Sequence, residues 1–468
     1  MNGPEPLSPV DLAWLRMDRP TNLMMVCGIM LFERRVDLQT VKDTVRRRML
    51  CFHRFRQRVT GRDASACWET DAAFDLDWHV SHIALPGRGE TLEELVGGLV
   101  STPLDPARPM WQFHLIDDRH GGSVVLLRIH HCYGYGDGFA LMHVVSAMTD
   151  DASGHAPAAP ADFAGPGASG SAWERILGPV TQLAGEALRT ASVLAGLGRD
   201  LLAHPAQGLS YAVAGADYAL AAATIAAMGP DAPTRLKGPL CAMKRVAWAA
   251  PLSLFEVKAV AAALACSVND VLVSCVAGAL RQYLARQGDA VDNTEVRALV
   301  PVNMRPPGPV NDLSNRFGLV FLGLPVGIAD PVRRAHELHR RMALLRSSRQ
   351  PAVSLAILNV MGVAPDLLKE RLVETLAANA SLVISNVRGV EQARYFAGRR
   401  IARQLFWVPQ SGGLALGISL LSYAGEVSFG VMSDAQRIPV PAAIAACFND
   451  AFETLLLTVL MMPWPGRA

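Results

Sequence analysis

Charge is scarce in this chain: Asp, Glu, Lys and Arg together make up 18% of its 468 residues, and aromatics only 6%. The formal net charge of +2 leaves no electrostatic case for a nucleic-acid partner, which needs clustered basic charge. Cysteine is present but unorganised. The eight positions (27, 51, 67, 132, 241, 266, 275 and 447) contain no Cys-x-x-Cys pair, which argues against a zinc site and a disulfide framework and suits a reducing cytoplasm. The start, Met1-Asn2-Gly3-Pro4-Glu5-Pro6, lacks the basic and apolar blocks of a secretory leader, so the protein is expected to stay in the cytoplasm. Long uninterrupted apolar runs are also missing. Pro409-Gln410-Ser411-Gly412-Gly413 breaks the uncharged stretch 405–425, and 209–229 is alanine-rich and carries Asp217. There is no phosphate-binding loop, dinucleotide fingerprint or Gly-x-Ser-x-Gly elbow, and no cofactor is expected.

What the chain does have is apolar bulk. Hydrophobic residues make up 51% of it, enough for a large core, an apolar tunnel or a membrane-facing surface. Helix and strand signals alternate, which reads as a mixed α/β fold. Ser8 caps a helix that opens on Pro9, and strands are expected near 23–33, 110–117 and 123–130. Residues 1–150 form a first domain. Residues 151–172, almost entirely Ala, Gly, Pro, Ser and Asp, read as a flexible linker, and a helical connector continues to 235. Its apolar stripe, from Trp173 through Ile176 and Val180 to Leu194, suits packing on the protein's own surface or contact with a membrane or lipid droplet. A second α/β domain spans 236–468, with strands near 317–324, 381–386, 400–408, 414–421 and 426–432 and helices near 330–347 and 441–460.

The most informative feature is His130-His131 at the end of the apolar run Val124-Val125-Leu126-Leu127-Arg128-Ile129. A glycine-rich turn carries the chain on to Asp137-Gly138 and a helix starting near Phe139. A neutral imidazole is the side chain best suited to take a hydroxyl proton near neutral pH. Other groups read blandly. His336 and His339 lie on an arginine-rich helix without a third metal ligand. Arg46-Arg47-Arg48 with His53, Arg54 and Arg56 reads as a solvated face, with coenzyme A phosphates or acidic lipid as the other reading.

Several blocks, taken in order, resemble the bacterial wax ester synthase/diacylglycerol acyltransferase family, within the superfamily of CoA-dependent acyltransferases. They are Ser8-Pro9-Val10-Asp11, 17–22, 103–111, Val268-Asn269-Asp270-Val271-Leu272, 301–306, Asn315-Arg316-Phe317-Gly318 and Ser385-Asn386-Val387-Arg388-Gly389. One departure stands out. The family places three residues between His-His and Asp-Gly; here five intervene, Cys132-Tyr133-Gly134-Tyr135-Gly136, as if a Tyr-Gly pair were duplicated. Glycine freedom lets the extra pair bulge outward, or the insertion moves Asp137 from its usual station.

The resemblance implies two chloramphenicol-acetyltransferase-like domains with the site in a central tunnel. It also implies direct transfer of a long-chain acyl group from acyl-CoA, a co-substrate, to diacylglycerol or a long-chain alcohol, at a peripheral membrane or lipid-droplet surface on the inner face of the cell. His131 would be the general base, and His130 would shape the turn. Asp137 would pair with Arg305 to hold the turn, and Gly138 would admit the thioester or its CoA arm. Asn269 would hydrogen-bond substrate or the opposite domain, or else serve as a helix N-cap. Asp270, Arg305, Ser385 and Asn386 complete the expected substrate-binding set. A condensation-type enzyme using a carrier-bound donor, or a weakly active lipid-binding homologue, are the alternatives.

Overall fold

The computed structural model describes residues 5–63, 65–84, 90–117, 121–133, 139–154, 220–221, 223–225, 227–304, 315–410 and 412–463. The linker from 155 onward and the apolar stripe Trp173 to Leu194 lie outside the described residues.

Two sheets organise the chain. The first runs in the order Arg403–Trp407, Met25–Phe32, Ser123–His130, Trp111–Asp117, Val80–Ile83, with only the last pair parallel. Ser123–His130 is central, and all eight of its residues are buried, which explains its nearly continuous apolar run. Arg128 is the exception within it. This buried guanidinium donates to the carbonyls of Leu99 and Thr102, at 2.7 Å each, and so ties the end of the helix Leu92–Val100 to the sheet. Met25 lies opposite His130 in the register, so the neighbouring strand brings Met24 alongside the histidine turn.

The second sheet runs in the order Phe317–Leu324, Val296–Asn303, Leu382–Arg388, Leu416–Tyr423, Glu426–Asp434, Lys244–Trp248, mixing parallel and antiparallel pairs. Its core includes one face of Val268–Arg286 and of Ala442–Leu460. Ala442–Leu460 has the length and apolarity of a membrane span, but it packs Ile444, Phe448, Phe452 and Leu455 into this core.

The sequence correctly foretold the two helices and most strands that frame the sheets. It did not foretell the helices Gln350–Val363 and Asp366–Ala378. Nor did it foretell that Arg403–Trp407, from the C-terminal part of the chain, would pair with Met25–Phe32 and complete the first sheet. That strand joins the two halves through backbone hydrogen bonds.

The halves also meet through helices. The first helix, Pro9–Met17, is capped as expected: the Asp11 amide donates to Ser8 Oγ at 3.1 Å, and Pro9 fills the first turn where no N–H is needed. It lies against Gln350–Val363 so closely that a Cβ on Gly362 would come within 1.8 Å of the Pro9 carbonyl oxygen. Gly318 makes the same allowance at the other end of that helix, where a Cβ would sit 2.0 Å from the Pro351 carbonyl oxygen. Both obstacles are backbone, so neither can swing aside. Gly362→Ala should therefore lower stability by about 1–3 kcal/mol, as overpacking does, measured by denaturant unfolding. A variant as stable as the parent would show that the helices separate without cost.

Candidate active site

His131 follows the last residue of the central strand, in a short 3-10 turn over His131–Tyr133. Its amide donates to the Met24 carbonyl at 2.7 Å, which continues the strand pairing by one residue. The ring is buried and forms a three-ring cluster with aromatic side chains from opposite halves of the chain, which also stack on each other with centroids 5.8 Å apart. Trp14 of the first helix stacks on it with centroids 4.0 Å apart and planes 24° from parallel, and Phe317 of the second sheet sits 5.6 Å away. Nδ1 has no hydrogen-bond partner among the described residues. Burial drives the His131 pKa down to about 3, and the charge on neighbouring His130 pushes the same way, against an opposing contribution from its own backbone carbonyl. His131 is thus a neutral base across the physiological range.

His130 has a different task. Its Nδ1 accepts from the Cys132 amide at 3.2 Å, which leaves the ring proton on Nε2, 3.7 Å from Asp18 Oδ1. The same Asp18 oxygen accepts from the Met24 amide at 2.6 Å. These contacts fasten the turn to the neighbouring loop. Tyr133 fastens its other side. The phenol accepts from the Met110 amide at 2.9 Å and donates to the Gln57 carbonyl at 2.7 Å, so the first Tyr of the tandem is built into the core. Tyr135-Gly136, Asp137, Gly138 and Arg305, with the expected Asp137–Arg305 pairing, lie outside the described residues.

The remaining predicted residues gather elsewhere. Asn269 is not the helix N-cap: Ser267 is, accepting from the Asp270 amide at 3.1 Å. Asn269 Oδ1 instead accepts from Asn386 Nδ2 at 2.7 Å, joining the start of Val268–Arg286 to the strand Leu382–Arg388. Asp270 is fully buried. It closes the capping box through the Ser267 amide at 2.9 Å and meets His339 Nδ1 at 2.7 Å, which makes it a fastener of helices rather than an exposed substrate contact. Ser385 is buried within its strand. Among the described residues, no hydrogen bond or ring contact joins this group to His131. His336 bonds the Leu264 carbonyl at 3.1 Å, so both helix histidines serve structural bonds. Trp111 packs on His79 with centroids 4.2 Å apart and donates to the Phe55 carbonyl, a core role. Arg46, Arg48 and Arg54 are ion-paired with Asp43, Asp150 and Glu5.

Sequence reasoning assigned no role to four residues that surround His131: Asp11, Trp14, Asn315 and Phe317. Asn315 Nδ2 donates to Asp11 Oδ1 at 2.7 Å and to the His131 carbonyl at 3.0 Å. The signal was partly visible, since Asp11 and Asn315 belong to recognised blocks, but their meeting spans 304 positions of sequence. Near this junction a cleft of about 340 Å³ opens between Met17, Arg19 and Asn22 on one side and Lys369, Val373 and Ala377 on the other. Its wall mixes apolar and charged side chains.

Comparisons with known proteins agree with this arrangement. The model of the wax ester synthase/diacylglycerol acyltransferase catalytic domain matches residues 7–272, and that of the C-terminal domain of the same family matches 313–456. A probable diacylglycerol O-acyltransferase of Mycobacterium tuberculosis is 25% identical, over 96% of this chain and 95% of its own. A second Mycobacterium tuberculosis protein, a putative diacylglycerol O-acyltransferase, is 29% identical over 92% and 95% respectively. Among solved structures, the wax ester synthase/diacylglycerol acyltransferase of Marinobacter aquaeolei VT8 superposes with a TM-score of 0.66 at 21% identity, covering 98% of this chain and all of that one. The starter condensation domain of rhizomide synthetase shares the fold at a TM-score of 0.57 and 12% identity, covering 98% of this chain and 94% of that one. With more than half its length matched by the catalytic-domain model, this chain belongs to the wax ester synthase/diacylglycerol acyltransferase family, an acyltransferase of two condensation-like α/β domains.

Proposed function

We propose that the chain transfers a long-chain acyl group from acyl-CoA to diacylglycerol or a long-chain alcohol, with His131 as general base. The observation that carries this reading is a buried neutral imidazole at the junction of the two halves, stacked on Trp14 from one half and in tilted contact with Phe317 from the other. The alcohol oxygen attacks the thioester carbon as its proton passes to His131. Collapse of the tetrahedral adduct breaks the carbon–sulfur bond, and the thiolate takes that proton back as free CoA. No acyl-enzyme forms, and the reaction as written needs no prosthetic group.

The low basicity of His131 shapes this mechanism. A free-standing imidazolium is costly at a buried site, so the proton is best carried only while negative charge stands opposite it, on the adduct oxygen or the departing sulfur. Holding both substrates against one fixed ring supplies much of the remaining acceleration. Both acceptors partition into lipid. Peripheral attachment to the inner face of the membrane or to lipid bodies therefore forms part of the proposal, supported by exposed Val363, Leu367 and Leu368 where two helices meet.

The test uses purified protein, radiolabelled palmitoyl-CoA and either a diacylglycerol or hexadecanol, with products resolved by thin-layer chromatography. Wild type should form labelled triacylglycerol or wax ester, and His131→Ala should lose about 10²- to 10⁴-fold in rate. A folded wild-type protein that forms no ester would contradict the proposal in favour of a lipid-binding homologue or a carrier-dependent donor. Acid stability offers a second check. The unfolded chain takes up the His131 proton near the ordinary 6.5 and the folded chain only near 3, so this residue's contribution to stability falls as pH drops through that window. His131→Gln should flatten the decline by up to about 1.4 kcal/mol per pH unit, read from urea unfolding between these limits. Parallel curves for the two proteins would show that His131 titrates normally.

A further inference from the structure

We propose that Asp11 and Asn315 are positioning residues for His131, a relay through which the first helix and the second sheet together set the base. The proposal rests on the reading of His131 as that base. Both relay residues are buried. One nitrogen, Asn315 Nδ2, donates to two acceptors, Asp11 Oδ1 at 2.7 Å and the His131 carbonyl at 3.0 Å. Only one orientation of the amide satisfies both, because the opposite flip would set its oxygen against a carboxylate and a carbonyl. Asp11 therefore fixes the Asn315 amide, and the amide fixes the main chain from which the base projects.

The carboxylate is itself held. Ser8 Oγ donates to Asp11 Oδ2 at 2.6 Å, and the Asp11 amide donates back to Ser8 Oγ at 3.1 Å. Asp11 is one turn from Trp14, whose indole stacks on the His131 ring, while Asn315 is two residues from Phe317, which closes on it from the other half. Each element thus contributes one aromatic contact to the ring and one polar group to the relay. The ring itself has no such tether: Nδ1 has no hydrogen-bond partner among the described residues. Its aim depends on the backbone at His131, on the Trp14 face stacked against it and on the tilted contact with Phe317. A polar network confined to helix capping would not need to reach a carbonyl on another sheet.

The test measures steady-state kinetics and thermal unfolding of Asp11→Ala, Asp11→Asn, Asn315→Ala, Asp37→Ala and the Asp11→Ala/Asn315→Ala double variant, with His131→Ala alongside. Positioning predicts that Asp11→Ala and Asn315→Ala each lose about 10- to 100-fold in kcat, the effect of misplacing a reacting group by roughly 1 Å. KM for palmitoyl-CoA should change little. Asp11→Asn should recover most of the activity, since its amide oxygen can accept from Asn315. The double variant should be no slower than the worse single, because both break one chain. Asp37→Ala, which removes the cap of the helix Leu38–Thr44 and touches none of the relay residues, should lower the melting temperature while keeping kcat. Additive losses, or loss of kcat in Asp37→Ala to match its loss of stability, would overturn the relay and leave a purely structural network. An inactive His131→Ala with unimpaired Asp11 and Asn315 variants would overturn the relay alone. An active His131→Ala would overturn the reading of the base, and the relay with it.

Discussion

The contact of the first helix with Gln350–Val363 is the constraint on which the rest of the site depends. It is possible because position 362 carries no side chain where the Pro9 carbonyl arrives. That close approach places Trp14 and Asp11 at the junction of the two halves, where His131 leaves its strand. Gly318 plays the matching part at the other end of the same helix, and its neighbour Phe317 closes on the ring. Two sites of forced close packing thus bracket one imidazole. Small residues at these points are needed for backbone proximity rather than for flexibility.

The electrostatic character of the site follows from this packing. Burial at this junction removes water from His131 and keeps the ring neutral, at the cost of basicity. A weak base in a dry site works only when the proton it takes is matched at once by charge on the reacting atoms. The same enclosure excludes the competing nucleophile, water, from a thioester. An acyltransferase has reason to accept a less basic histidine in exchange for that protection.

The sequence revealed the fold more fully than the site. The central strand could be read from its unbroken apolar run, and Ser8-Pro9 announced the first helix, because both signals are local. Arg403–Trp407 could not be assigned to the first sheet from sequence, since nothing in five residues names a partner nearly four hundred positions earlier. The same limit applied to function. His130-His131 declared itself by residue type and by its place at a strand end, but Asp11 read only as part of a helix start and Asn315 only as part of a block. Their meeting depends on the helix contact at Gly362, a feature with no local pattern. Asn269 shows the reverse case: its position at a helix start suggested a cap, and Ser267 two residues earlier took that place because its hydroxyl reaches the Asp270 amide.

The central claim is that His131 is held neutral between the two halves. It is tested most directly by the protonation state of that ring, observed by two-bond proton–nitrogen correlation spectra of histidine-labelled protein, with the signal assigned by its loss in a His131 variant. The account predicts the nitrogen shifts of a neutral imidazole at pH 5, because burial has moved the pKa to about 3. Shifts of an imidazolium at that pH, with a midpoint near 6.5, would contradict it and place the ring in water.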